Sequence, residues 1–114
     1  MSARAKNWSL AAAKEMLPEV RARTGRAFAE VERLEAARDA LPAGAEQREE
    51  IEAQLAETVQ RWVREMEALG LDVKGLWLVD FDSGAGYYCW TWPEEELAFF
   101  HGYEEGFGGR ARIQ

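Results

Sequence analysis

Apolar residues recur at helical spacing through the first part of the chain. From Val20 the series Val20, Thr24, Ala27, Val31, Leu34, Arg38, Leu41 advances by alternating steps of four and three, as along a coiled-coil seam. Ser9 stands just before Leu10 as a good capping residue, so a helix is predicted to begin at Leu10. Pro18 cannot donate to the Lys14 carbonyl and is expected to kink that helix or to open a new one. Pro42, Ala43 and Gly44 break the pattern. A second seam, Ile51, Leu55, Val59, Trp62, Met66 and Leu69, predicts a helix from about Ala45 that Gly70 closes. Two helices of about 22–25 residues joined by a short loop should form an antiparallel hairpin about 35 Å long.

Beyond Gly70 the pattern shortens to strand-like runs. Leu76 to Phe81 reads as one strand, Tyr87 to Trp92 as a second and Leu97 to His101 as a third. Asp82-Ser83-Gly84-Ala85-Gly86 reads as the first turn. Pro93-Glu94-Glu95 reads as the second, with Pro93 at the first corner. The glycine-rich tail Gly102–Gln114 reads as irregular. The fold class expected is α+β, a long antiparallel helical hairpin packed on a three-stranded antiparallel β-meander, within one domain over 1–114.

Composition sharpens the division. Residues 1–70 hold 16 Ala and 3 aromatics, whereas 71–114 hold 3 Ala, 7 Gly and 10 aromatics. Net charge is −7, of which −2 falls on the first half and −5 on the second. Acidity of that degree argues against a nucleic-acid partner. The opening residues MSARAKNW carry no apolar signal core and no stretch is long enough to span a bilayer, so no membrane partner is expected. The lone Cys89 cannot form an internal disulfide, which suits a reducing, cytoplasmic location.

The run Gly75-Leu76-Trp77-Leu78-Val79-Asp80-Phe81, followed by Tyr88-Cys89-Trp90, Pro93-Glu94, Phe100-His101 and Gly106-Phe107-Gly108-Gly109-Arg110, resembles the bacterial family called domain of unknown function 2203. Trp8-Ser9-Leu10 and Leu17-Pro18-Glu19 resemble its opening. Asp82, Pro93 and Phe100 depart from the residues usual there, at turn and packing positions. The resemblance implies no established activity and bears on fold rather than function.

Candidate chemistry gathers at strand ends and turns. Asp80, Glu94, His101 and Arg110 are the candidate ligand-binding residues. Whether Asp80, Cys89 and His101 share a face depends on strand register. A tight turn at Pro93-Glu94 would set His101 with Tyr88 and Trp90 and leave Cys89 on the opposite face. Zinc accepts a Cys, His and carboxylate set, but no paired ligand spacing is present. The expectation is therefore no metal, no cofactor and no catalytic residue, with Cys89 a buried packing group. Arg110 is expected to tie down the tail by a salt bridge, with Asp80 as one possible partner.

Aromatic density is the strongest oddity. Tyr87, Tyr88, Trp90, Trp92, Phe99, Phe100, Tyr103 and Phe107 fall within 21 residues, and neighbouring strand residues point to opposite faces. Helices cover only one face, so the other needs the tail, a second copy or a ligand. Trp62, Tyr88, Trp90, Trp92 and Phe99 are the candidate interface residues. The expected function is a small interaction or structural protein acting through the hairpin and the aromatic sheet face. A homodimer is expected, through either the wide stripe of Val59, Trp62, Val63 and Met66 or the aromatic sheet face. The alternative is a ligand- or metal-binding protein, with enzymatic activity left open, centred on Asp80, Glu94, His101 and Arg110.

Overall fold

The computed structural model describes residues 7–114, so the first six residues of the opening segment lie outside the described part. Helix α1 spans Leu10–Asp39 and helix α2 spans Gln47–Ala68. Strands β1 (Asp72–Gly75), β2 (Leu78–Asp82), β3 (Tyr87–Thr91), β4 (Phe99–His101) and β5 (Ala111–Arg112) make one antiparallel sheet in chain order. The fold is α+β with five strands, not three.

Ser9 caps α1 as expected, its Oγ accepting from the Ala12 N–H at 3.0 Å. Pro18 lies inside α1 and opens no second helix, so α1 runs for 30 residues, longer than the spacing predicted. Leu17 and Val20 flank the proline and are buried, and that apolar burial outweighs one missing backbone bond. Along the predicted seam Val20, Thr24, Val31 and Leu34 are buried. Thr24 has a polar reason to be there, since its Oγ1 accepts from Trp62 Nε1 of α2 at 2.8 Å in a buried bond. Farther along α1, Arg38 meets Glu52 near the start of α2 at 3.2 Å. Early residues of α1 thus face late residues of α2, and the two run antiparallel. Gly70, at φ 95°, ends α2, and the Leu71 N–H reaches back to the Met66 carbonyl at 3.1 Å.

The run read as one strand from Leu76 is two strands and a turn. Leu76 and Trp77 form the β1–β2 turn, with Trp77 at φ 64°, a region that bulky residues rarely adopt. That backbone turns the indole inward, edge-on to Trp62 at 5.0 Å and to Phe28 at 6.0 Å, while Leu76 stays exposed at the tip. The Asp82–Gly86 turn forms where expected, with Ser83 N–H bonded to the Gly86 carbonyl at 2.8 Å. Gly86 has φ 147°, and a Cβ there would lie 2.4 Å from Phe100 Cζ and 2.9 Å from the His101 carbonyl oxygen.

The second turn differs from expectation. The Glu94 N–H bonds the Thr91 carbonyl at 2.9 Å, so Pro93 takes the second corner of the turn and not the first. The chain then continues to Ala98 before β4 begins at Phe99. β3 and β4 are joined by a loop, not by a tight hairpin, and the parity argument drawn from a tight turn does not apply. The observed pairs are Asp80↔Cys89, Cys89↔Phe99 and Tyr87↔His101. Asp80, Cys89 and His101 therefore share one face, contrary to the register favoured from sequence. The tail is not wholly irregular either, because Ala111 and Arg112 pair with Phe100 and Phe99 as β5.

Val79, Phe81 and Trp90 occupy the opposite face and belong to one buried cluster with Leu17, Val20, Trp62, Met66 and Trp77. Trp8 joins the helical start to the sheet, donating from Nε1 to the Gly70 carbonyl and meeting Phe81 edge-on at 5.2 Å. Trp62 and Met66, read from sequence as surplus stripe, are 1% and 0% exposed within this chain. Trp90 is likewise 0% exposed, so neither Trp62 nor Trp90 offers a binding surface. Tyr88, Trp92 and Phe99 are half-buried.

Candidate functional site

The outer face of the sheet carries the polar chemistry. β2 supplies Asp80, β3 supplies Cys89 and β4 supplies His101, each through the alternation that sends their neighbours Val79, Phe81 and Trp90 into the core. All three are buried, at 1%, 1% and 4% exposure. One carboxylate oxygen, the thiol sulfur and one imidazole nitrogen lie within 4.8 Å of one another.

His101 Nε2 lies 2.9 Å from Asp80 Oδ2, and its Nδ1 lies 2.9 Å from the Gly102 carbonyl oxygen. Both neighbours are acceptors. A neutral imidazole has one N–H and donates to one of them, leaving a lone pair on the other nitrogen that a metal ion could take. Lys74, which lies on the same face of β1, donates from Nζ to Asp80 Oδ2 at 3.1 Å. Partial burial is the largest single influence on Lys74 and opposes its charge, but the bond to Asp80, the Asp80 charge and Tyr87 together hold the ammonium above its usual range. Asp80 Oδ1 is buried and has no hydrogen-bond partner among the described residues. Burial pushes the Cys89 thiol up to about 12, the Asp80 charge adds to the push, and Arg110 opposes it. At neutral pH Cys89 is a thiol, which rules out a free-standing nucleophile of the activated-cysteine type.

Glu94 and Arg110 form a second pair beside the first. Arg110 reaches Glu94 with both guanidinium ends, Nη1–Oε1 at 3.2 Å and Nη2–Oε2 at 2.6 Å, and Nη1 lies 3.9 Å from Cys89 Sγ. Glu94 Oε1 also accepts from the Thr91 N–H at 3.1 Å. Arg110 thus ties down the tail, as expected, but its carboxylate partner is Glu94 and not Asp80. Its guanidinium lies 4.0 Å from the Phe99 ring and 4.1 Å from the Phe107 ring, so the tail is fixed by stacking as well as by charge.

A profile for the family described as uncharacterized conserved protein (DUF2203) matches residues 6–113, nearly the whole chain. The chain belongs to the DUF2203 family. No curated protein and no solved structure matches it. Membership in DUF2203 carries no activity, so function rests on the geometry.

Of the four residues singled out from sequence, Asp80 and His101 meet in one pair and Glu94 and Arg110 in another. Cys89, set aside as packing, stands where the two pairs approach each other. Lys74 was missed altogether. Its signal was its isolation, as the one lysine of the acidic half, two residues along β1 from Asp72, which pairs with Asp80.

Proposed function

We propose that this DUF2203 protein binds a divalent metal ion of the zinc class on the outer face of its sheet, with Asp80, Cys89 and His101 as ligands. The observation that carries the reading is the convergence of three buried ligand atoms, one O, one S and one N, within 4.8 Å, beside an Asp80 oxygen that has no hydrogen-bond partner among the described residues. Carboxylate, thiolate and imidazole together suit zinc and its borderline neighbours such as cobalt. His101 supports the reading through its orientation, with Nδ1 on a backbone carbonyl and Nε2 turned inward, the outer-shell arrangement of metal-bound histidines. Sulfur and nitrogen bound to one tetrahedral zinc lie roughly 3.5 Å apart, so the ligand shell contracts on loading. Three protein ligands leave one coordination position open, the count found in catalytic centres more than in structural ones.

Sequence alone led with an interaction protein acting through a bare aromatic face. Less of that face is bare than the reading requires, because Tyr103 meets Tyr87 edge-on at 5.1 Å and Arg110 and Arg112 lie over Phe99. We also read the chain as one domain, since both helices and the sheet contribute to one buried cluster.

Cobalt(II) titration of chelator-stripped protein tests the metal reading. The expected result is one ion per chain with a sulfur-to-cobalt charge-transfer band, lost in Cys89→Ala and weakened at least about tenfold in His101→Ala and Asp80→Asn. No binding at micromolar metal, or binding without a sulfur band that survives all three substitutions, overturns it.

A further inference from the structure

Resting on the metal reading, we infer that Lys74 is a built-in cation that occupies Asp80 in the metal-free protein and has to leave when the ion enters. A carboxylate buried at 1% exposure needs a compensating charge. Lys74 supplies it from the edge strand, with Nζ 3.1 Å from Asp80 Oδ2, the same oxygen that His101 Nε2 approaches at 2.9 Å. A divalent ion bound to that oxygen and that nitrogen would sit beside the ammonium, and two like charges in a poorly hydrated site repel strongly. The lysine is placed to yield. Its side chain is 37% exposed and lies along the rim, with Nζ 3.6 Å from the centre of the Tyr87 ring. Asp80 and His101 are fixed on paired strands and covered; Lys74 has a flexible stem and a route to water. The same contact stabilises the empty protein and competes with the ion, so Lys74 sets the affinity of the site downward and keeps the carboxylate balanced when no metal is present.

The test compares cobalt(II) affinity in the full chain for the wild type, Lys74→Met, Lys74→Gln and a control, Lys14→Met, which removes an equal charge from an exposed helical position. Two Lys74 variants guard against one that folds poorly. The expected result is about tenfold tighter binding in both Lys74 variants, with Lys14→Met within about twofold of wild type. Amine labelling read by mass spectrometry should also show Lys74 reacting faster once metal is added, while Lys14 is unchanged. If the wild type binds cobalt and the Lys74 variants bind equally or more weakly, the role of Lys74 is overturned and the metal site stands. If no variant binds, the metal reading fails and takes this one with it. If only the Lys74 variants bind, both are supported.

Discussion

At the centre of the sheet three residues on each face are almost equally buried and are held by different physics. On the inner face Val79, Phe81 and Trp90 are 0% exposed and touch apolar groups of the helices and of Trp8. On the outer face Asp80, Cys89 and His101 are 1%, 1% and 4% exposed, covered by Lys74, by Arg110 and by the aromatic tail. Inner burial removes apolar area from water and is non-directional. Outer burial strands a carboxylate whose charge needs specific partners, and one of its oxygens has none among the described residues. Burial alone therefore does not mark core. In this small sheet the inner face maintains the fold, while the outer face maintains an arrangement of ligands at some cost to it.

Substitutions on the two faces should separate these roles. The largest expected effect is on the inner face, where Trp90→Ala or Phe81→Ala should cost about 3–5 kcal/mol in urea unfolding. Zinc should stabilise wild type and these variants alike, so the difference between them should persist with metal. An inner-face loss below about 1 kcal/mol would break the comparison.

Asp80→Asn should be milder in metal-free protein, about 1–3 kcal/mol, because it removes the charge that Lys74 and His101 share and keeps the volume. Its distinguishing result is with metal. Zinc should raise the midpoint of thermal unfolding of the wild type and leave Asp80→Asn unmoved, since a ligand stabilises only the state that binds it. An equal rise in both would place the ion elsewhere.

Cys89→Ala should cost about 1–2 kcal/mol at pH 7 from lost packing. It should also change the alkaline limb of stability. An unfolded thiol ionises near its ordinary value of about 8.5, whereas the native one stays protonated up to about 12. The unfolded state therefore loses its proton first, and this contribution to stability falls as pH rises from about 9 towards 12. Denaturant midpoints across that range should decline less steeply in Cys89→Ala than in wild type; identical slopes would show that the thiol is not held protonated by the fold.

The smallest effect belongs to neither face. Arg33→Ala removes an exposed pair with Glu30 on α1 and should leave the urea midpoint unchanged within the error of the measurement.

Legibility in the sequence divided along similar lines. The helices were readable because a seam such as Val20, Thr24, Val31, Leu34 repeats over many turns, and Ser9 and Gly70 mark ends by local chemistry. The Asp82–Gly86 turn was readable for the same local reason. The β1–β2 turn was not, because it depends on Trp77 adopting a positive φ that only its buried ring between Phe28 and Trp62 explains. β5 is two residues held by pairing with β4, and nothing local announces it. The site itself turned on register. Asp80, His101, Glu94 and Arg110 were visible as candidates, but their partners were set by the loop from Trp92 to Ala98, which lets β4 align so that His101 faces Tyr87. Residue type was legible from the chain; which residues meet was a tertiary fact.

The most direct measurement is anomalous diffraction from crystals of the zinc-loaded protein, recorded on both sides of the zinc edge. The account predicts one strong anomalous peak bonded to Asp80, Cys89 Sγ and His101 Nε2, with Lys74 Nζ withdrawn from Asp80. A peak elsewhere, or an Asp80–His101–Lys74 network unchanged at saturating zinc with no peak beside it, would contradict it.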